Sequence, residues 1–333
     1  MKLIGILIIL CSLTGCSSTK VNPCDNNSTI YSKITSSKNQ PICFQTIDRY
    51  DLESGSGEKL IIYGNLSFPK IKKNSYDAVI VSHGSGGIRN YHNRYIELLN
   101  NNGYAVFQID HYLSRDLKFD KTFSKVSGIT FMNDAYRALS ILKTHPKINK
   151  VAYIGWSQGG VGPILSHFKH VTDFIDNGKY NFDASIAIYP YCGFTFDKKS
   201  LTTTPLLMIT GRNDDLTPEK ACINLYDKFK NNSNKINHIS LKGSWHGYDN
   251  PYLLFGYTFD NLPGLNIIND SCTLTISERG KIITLSNEVI YGPKESASII
   301  DRCSTKGVKV KYNADAASRT REAIIEFLDN QLR

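Results

Sequence analysis

The sequence lacks internal repeats, and from residue 44 onward it lacks low-complexity segments. Charged residues make up only 21% of the chain and hydrophobic residues 41%, values close to ordinary globular usage. A collagen, a fibre and a wholly disordered protein are therefore excluded. With 333 residues the chain can form one large domain or two ordinary ones.

Zinc-binding patterns are also missing. No CxxC motif and no cluster of cysteine and histidine at zinc spacing occurs, so nothing in the sequence supports a metal site. Lys and Arg number 39 against 30 Asp and Glu, giving a net charge of +9, but no nucleic-acid recognition motif with interleaved aromatics accompanies them. We expect no nucleic-acid partner. The basic excess suits an anionic membrane surface or solvated surface charge equally well.

The N-terminus has the pattern of an export signal. Lys2 precedes an apolar run over 3–13, too short for a permanent membrane span, and LTGC follows at 13–16. This ending resembles the lipobox of bacterial lipoproteins, which implies removal of residues 1–15 and attachment of lipid to Cys16. The alternative is an ordinary signal peptide with an incidental cysteine. Several acyl chains, at about 0.8 kcal/mol per buried methylene, would hold the protein stably on a membrane.

Six cysteines remain once Cys11 is removed with the signal and Cys16 is lipidated. An even number in an exported protein suggests three disulfide bonds, although six cysteines allow 15 pairings. Pairing of sequence neighbours is the simplest hypothesis; it would join Cys24 with Cys43, Cys192 with Cys222, and Cys272 with Cys303. For the second pair, close approach without a bond is the alternative.

Strand and helix signals alternate from about Phe44 onward. The preceding stretch, 16–43, is rich in Ser, Thr, Asn and Lys and is predicted to be a solvated tether. Apolar strand patterns occur at 60–63, 78–81, 104–110, 151–154, 184–188, 206–209 and 236–241, with a helix predicted over 133–145. Near-continuous apolar strands separated by helices indicate a mostly parallel sheet covered by helices on both faces.

A stretch of different character interrupts this pattern at about 250–312. Segments 273–276 and 281–285, split by SERG, predict an antiparallel hairpin. Apolar residues between Ala316 and Leu328 share one face, so we expect a docked C-terminal helix. The predicted fold class is α/β, with one domain over 44–333 and a small antiparallel hairpin inserted before the last helix.

Four motifs fall where strands end. GWSQGG (155–160) matches G-x-S-x-G, a turn that pushes its serine above a sheet edge; a helix N-cap is the alternative role for that serine. GRNDDLTP (211–218) then offers carboxylates, and WHG (245–247) an imidazole. A serine nucleophile needs a base and the base an orienting carboxylate, and the order Ser, Asp, His is that of the α/β-hydrolases. HGSGG (83–87) supplies a glycine-rich turn whose N–H groups can face an oxyanion.

In these motifs and their order the chain resembles the dienelactone hydrolase family of α/β-hydrolases, particularly its exported members. The resemblance runs from about residue 60 to the final helix. It implies that Ser157 is the nucleophile, His246 the general base and acid, and Asp214 the partner of the imidazole, with Asp215 as the alternative. The founding members use cysteine as nucleophile, so the serine here departs from them; acyl transfer is retained, but the lactone substrate does not carry over.

The resemblance also implies an oxyanion hole formed by the backbone N–H of Gln158 with a second from Ser85. Loops after strands line the sites of such folds. His111 and Arg115, which follow the strand at 104–110, and Trp156 beside the serine are therefore candidates to line the pocket.

The sequence thus predicts a serine hydrolase of a small-molecule ester, thioester or related acyl bond, acting through an acyl-enzyme without metal or organic cofactor. The alternatives are a peptidase on the same fold and a non-catalytic binding protein of the cell envelope whose hairpin is the working surface. We expect attachment to the bacterial cell envelope outside the cytoplasm through the N-terminal lipid, at the outer membrane or on the periplasmic face if the host is Gram-negative.

Overall fold

The computed structural model of the protein describes residues 21–25, 27–53, 57–196, 200–231, 235–259 and 266–333. The predicted signal peptide and Cys16 lie outside these described residues. Within them no helix combines the length and apolarity that crossing a membrane requires.

The strands and helices follow one another along the chain as the alternating pattern indicates. The strands are β1 (Gln40–Asp48), β2 (Glu58–Ser67), β3 (Tyr76–Ser82), β4 (Ala105–Asp110), β5 (Ile148–Trp156), β6 (Ala184–Ile188), β7 (Phe194–Phe196), β8 (Leu206–Gly211), β9 (Ile236–Leu241), β10 (Tyr257–Phe259), β11 (Ile267–Ile268), β12 (Leu274–Ile276), β13 (Ile282–Thr284), β14 (Val289–Ile290), β15 (Ser304–Thr305) and β16 (Val308–Val310). The α-helices are α1 (Asn90–Asn101), α2 (Gly128–Leu142), α3 (Val161–Leu165), α4 (Lys169–Asp176), α5 (Glu219–Phe229), α6 (Pro293–Cys303) and α7 (Ala314–Leu332).

Eight strands of the described chain form the central sheet, in the order β1-β2-β4-β3-β5-β6-β8-β9. The strands from β4 to β9 in that order run parallel, while β2 is antiparallel to β4 and β1 to β2. Every residue of β6 and β8 is buried, as expected for parallel strands covered on both faces. The mostly parallel sheet of the prediction is confirmed, and each predicted sheet strand lies within it.

Helices cover both faces of this sheet. On one face α2, α3 and α5 contribute Ile129, Leu139, Ile164, Leu225 and Phe229 to the larger apolar cluster. On the other face α1 and α7 contribute Tyr95, Leu99, Ile324, Phe327 and Leu328 to a second cluster. Full burial of a side chain of this kind contributes roughly 1.5–3 kcal/mol, so the two clusters hold the layers together.

Helix α2 begins earlier than the prediction of 133–145 placed it. The helix starts at Gly128, and Ser127 caps it, because its hydroxyl accepts a hydrogen bond from the backbone N–H of Thr130 at 3.1 Å. Its first turn, GITF, contains glycine and β-branched residues with poor helix propensity. Burial of Ile129 and Phe131 stabilises that turn, but the hydrophobic periodicity of the sequence does not reveal this burial.

The predicted tether is shorter than 16–43. Strand β1 begins at Gln40, Ile30 forms an isolated β-bridge with Cys43, and the Ile34 side chain is only 2% exposed. The backbone N–H of Tyr31 donates to the Cys43 carbonyl at 2.7 Å. Residues 30–43 therefore belong to the folded domain, because the sheet edge supplies hydrogen-bond partners that a polar composition does not reveal.

Three disulfide bonds join the cysteines of the described chain: Cys24 to Cys43, Cys192 to Cys222, and Cys272 to Cys303. This is the predicted pairing of sequence neighbours. The first bond fastens the N-terminal segment to β1 and the third links two parts of the insertion.

The predicted hairpin is present as β12 and β13, which pair antiparallel with Leu274 opposite Thr284. It is part of a larger unit, since β12 also pairs parallel with β7 and β13 pairs with β14. We call β7 together with residues 266–310 the cap. Its residues Ile276, Ile282, Ile290 and Ile299 belong to the same apolar cluster as helix α2, so the cap packs onto the main domain.

Candidate active site

The turn after β5 carries Ser157 at the edge of the sheet. Ser157 has a φ of 54° and opens a 3₁₀ turn, Ser157–Gly160. A Cβ atom at Gly155 would overlap the carbonyl oxygen of Gly159, and a Cβ at Gly159 would overlap the carbonyl of His83. Only glycine fits these two positions, which is why the serine must be flanked as the motif has it.

The structure brings Ser157, His246 and Asp214 into one hydrogen-bonded chain. Ser157 Oγ lies 2.9 Å from His246 Nε2, and His246 Nδ1 lies 2.8 Å from Asp214 Oδ2. Their exposed fractions are 6%, 8% and 4%. Because Nδ1–H donates to the carboxylate, Nε2 is left to accept the serine proton.

Asp214 is held rigidly by the loop that carries it. Its Oδ1 accepts hydrogen bonds from the backbone N–H groups of Leu216 and Thr217, both at 2.9 Å, and the Thr217 hydroxyl lies 2.8 Å from Oδ2. Asp215, the alternative partner, is partly exposed, and burial together with the Asp214 carboxylate raises its pKa. The structure therefore places Asp214 rather than Asp215 at His246.

The glycine-rich turn after β3 lies against the serine. A Cβ built on Gly84 would be 3.1 Å from Ser157 Cβ, and the next residue along the turn is Ser85. His83 supports the turn, with its Nδ1 2.7 Å from the Gly84 carbonyl oxygen. Gln158 follows Ser157 at the start of the 3₁₀ turn. Of the two residues predicted to form the oxyanion hole, Gln158 thus follows Ser157 directly in the chain, and Ser85 follows Gly84, which lies against Ser157.

A cavity of about 140 Å³ opens beside Ser157 and Gln158. The main domain contributes to its wall through α2, α3 and the loop after β8, and the cap contributes through β7, β12, β13, β14 and α6. The apolar side chains that line it are Phe123, Ile129, Val161, Leu165, Phe194, Leu216, Ile268, Leu274, Ile276, Ile282, Ile290, Ile299 and Ile300. The insertion therefore shapes the pocket.

Comparison with protein families adds to this geometry. Residues 65–258 match the family described as the dienelactone hydrolase family. The chain belongs to the dienelactone hydrolase family. It is accordingly a hydrolase of ester bonds, a serine hydrolase of the α/β fold. No curated protein sequence matches the chain.

Several solved structures are similar to this chain. A dienelactone hydrolase-like promiscuous phosphotriesterase from metagenomic libraries is similar with a TM-score of 0.50 and 13% identity, over 87% of this chain and 98% of that one. Est1E from Butyrivibrio proteoclasticus is 17% identical over 62% of this chain and 91% of its own, with a TM-score of 0.43. An esterase of Pyrococcus furiosus is 15% identical over 65% and 90%, with a TM-score of 0.45.

Three residues that were predicted to line the pocket lie outside the cavity lining. His111 and Trp156 are 0% exposed, and the side chain of Arg115 is 7% exposed. None of the three is among the described residues that line the cavity. The start of the loop after β4 lies in the interior, where His111 contacts His83 and Arg115 contacts Asp134, and only a later part of the same loop reaches the cavity, with Phe123.

His111 belongs to a second buried network that supports the oxyanion turn. Its Nδ1 lies 2.8 Å from Asp134 and its Nε2 lies 2.7 Å from the Ser82 hydroxyl, while its backbone N–H donates to His83 Nε2 at 3.1 Å. Burial lowers the pKa of His111 despite the adjacent carboxylate. Burial alone would raise the pKa of Asp134, but the Arg115 guanidinium and His111 offset this and lower it to about 2.

Sequence reasoning missed a third feature, a buried carboxylate beneath the nucleophile turn. Asp249 accepts hydrogen bonds from Trp156 Nε1 at 2.9 Å and from the hydroxyls of Tyr95 and Tyr189, both at 2.8 Å. Burial raises the pKa of Asp249, and the Tyr189 ring packs edge-on against His246 with centroids 4.8 Å apart. These residues are separated by 60 or more positions in sequence from Asp249, so no local pattern identifies them.

Proposed function

We propose that this chain hydrolyses carboxylic esters through an acyl-enzyme formed on Ser157. The observation that carries the proposal is the hydrogen-bonded chain from Ser157 Oγ through His246 to Asp214, at 2.9 and 2.8 Å. It lies beside the cavity and next to the glycine-rich turn. The match to the dienelactone hydrolase family supports the same reaction class.

In the first half of the reaction, Ser157 Oγ attacks the ester carbonyl carbon while its proton passes to His246 Nε2. The carbonyl oxygen becomes an oxyanion, which the backbone N–H groups of Gln158 and Ser85 stabilise. Removing one donor of this kind costs about 10²–10³ in kcat in a serine protease, so these groups carry a large part of the rate. The tetrahedral intermediate then expels the alcohol oxygen, which takes the proton from His246 and leaves an acyl ester on Ser157.

In the second half, His246 takes a proton from water as the water oxygen attacks the acyl carbon. The intermediate collapses, the C–O bond to Ser157 breaks, and Nε2 returns the proton to the serine oxygen. Asp214 stays ionised throughout, orienting the imidazole and stabilising the imidazolium that forms twice in the cycle.

A fluorophosphonate probe tests this proposal directly. Ser157 Oγ should attack the phosphorus and release fluoride, so one probe should attach per molecule and peptide mapping should find it on Ser157. Ser82 is the built-in control, because its hydroxyl also lies 2.7 Å from a histidine nitrogen but the residue is 0% exposed. An ester hydrolase that the probe does not label on Ser157 would contradict the proposal.

We also propose export and lipid attachment at Cys16, outside the described residues. The support is the LTGC pattern after the apolar run and the three disulfide bonds, which persist in oxidising compartments. The full-length protein expressed in a bacterial host should enter the detergent phase on phase separation, and Cys16→Ser should remain unprocessed or enter the aqueous phase. A wild-type protein found only in the aqueous phase would exclude the anchor.

A further inference from the structure

The cavity beside Ser157 has a lining without charge. None of the described residues that line it is Asp, Glu, Lys, Arg or His. Its few polar side chains are already hydrogen-bonded inside the protein: the Tyr50 hydroxyl donates to the Ser124 carbonyl at 2.6 Å, and the Tyr191 hydroxyl to the Cys272 carbonyl at 2.7 Å.

The remaining polar side chains of the lining are also hydrogen-bonded inside the protein, Ser157 with His246 and Thr217 with Asp214. The Ser127 hydroxyl contacts the Tyr50 carbonyl and caps helix α2. The Gln158 side chain accepts from the Tyr112 hydroxyl at 2.7 Å and donates to the Val126 carbonyl at 2.5 Å. A carboxylate or other ionic group entering this cavity would lose its hydration without finding a partner, which is strongly unfavourable.

The position of the cavity indicates which half of an ester enters it. Ser157 and Gln158, which hold the acyl carbon and its oxyanion in the proposed mechanism, line the cavity. His246, which must protonate the departing alcohol, is not among the described lining residues. The alcohol therefore leaves from the His246 side, while the acyl chain occupies the cavity and stays there until water completes the second step.

The size of the cavity limits the acyl group. An apolar cavity of roughly 150 Å³ in another protein holds one benzene molecule, a ligand of six carbons. The cavity here, at about 140 Å³, is of the same size. Resting on the proposed function, we infer that this enzyme is selective for esters of uncharged, apolar acyl groups of about six carbons, and that isoleucines of the cap set this preference.

Matched substrates test the inference on the full chain. p-Nitrophenyl acetate, p-nitrophenyl hexanoate and the mono-p-nitrophenyl ester of adipic acid share one leaving group and differ in acyl length or terminal charge. Each methylene that the cavity buries should raise kcat/KM roughly fourfold, so burial of the four extra methylenes of hexanoate should raise kcat/KM over that for acetate by about 250-fold. The adipate ester should be at least about 100-fold poorer than hexanoate, because its carboxylate would be buried unpaired.

An isomeric pair tests the orientation. Ethyl hexanoate and hexyl acetate have the same atoms, so overall hydrophobicity cannot separate them, and ethyl hexanoate should be hydrolysed at least about tenfold faster. Equal rates on adipate and hexanoate esters, or a preference for hexyl acetate, would overturn the inference while leaving ester hydrolysis itself established. Loss of all ester hydrolysis would instead refute the proposed function.

Two variants of the same hairpin test the part played by the cap. Ile282 on β13 lines the cavity and is 6% exposed, so Ile282→Phe should fill space and lower the hexanoate-to-acetate ratio of kcat/KM at least about fivefold. Leu285, three residues along, is 59% exposed and lies outside the lining, so Leu285→Phe should keep the wild-type ratio. An unchanged ratio in folded Ile282→Phe would refute the role of the cap.

Discussion

Ser157→Ala is expected to lower kcat on p-nitrophenyl acetate about a million-fold, as loss of a triad serine does in a serine protease. The reason is chemical: no other hydroxyl of the described residues lies at hydrogen-bond distance from His246 Nε2, so nothing else can form the acyl-enzyme there. Initial-rate measurements at saturating ester check the effect, and a near wild-type rate would refute the mechanism.

The backbone at this position offers a control for folding. Ser157 has a φ of 54°, a backbone conformation that is strained for any residue with a Cβ atom but not for glycine. Ser157→Gly should therefore unfold at the same or a higher temperature than wild type while losing activity as completely as Ser157→Ala. The double variant Ser157→Ala with His246→Ala should lose little more, because the two residues act as one unit.

Asp214→Asn is expected to lower kcat about 10⁴-fold, the effect of the corresponding change in a serine protease. Oδ1 of Asp214 accepts two backbone hydrogen bonds, so an asparagine must place its oxygen there and turn its NH₂ group toward His246. The NH₂ group would donate to Nδ1 and shift the imidazole proton to Nε2. That nitrogen could then no longer accept the proton of Ser157.

Asp215→Asn is the matched control, being the same change one residue along. Asp215 is partly exposed and the structure does not place it at His246, so kcat should stay within about twofold of wild type, as for surface changes in general. Steady-state kinetics of the two variants, measured side by side, show which of the two aspartates is the partner of His246. A large loss in Asp215→Asn with a small one in Asp214→Asn would show that the assignment is reversed.

Much of the fold was predictable because burial leaves a direct trace in composition. Strands such as β6 and β8, covered on both faces, must be apolar throughout, and each was recognised from that run alone. Strand β1 was missed because it lies at the edge of the sheet, where β2 is its single neighbour among the sheet strands, and its sequence is not a continuous apolar run. The predicted tether extended too far for the same reason.

The residues of the candidate site also divide into those that local sequence patterns predict and those that they do not. Ser157, Asp214 and His246 fall in motifs whose spacing reflects a local requirement: glycines where a Cβ would collide, and turns at strand ends. His111 and Arg115 also follow a strand, but they bind Asp134 in the interior. Position after a strand therefore does not show whether a side chain points into the pocket or into the core. Asp249 and its three donors have no local signature at all.

Residues close together in the chain are enough to predict the parallel α/β sheet, the order of the motifs and the chemistry that those motifs can support. The three-dimensional packing is needed to show which of two adjacent carboxylates meets His246, which side chains line the cavity and how the cap contributes to its wall. Those outcomes depend on contacts such as Leu274 with Phe194 and Tyr189 with Asp249, which join segments 60 to 80 positions apart. A hydrophobic period shows that a face of an element is buried, but it does not show which distant segment packs against that face.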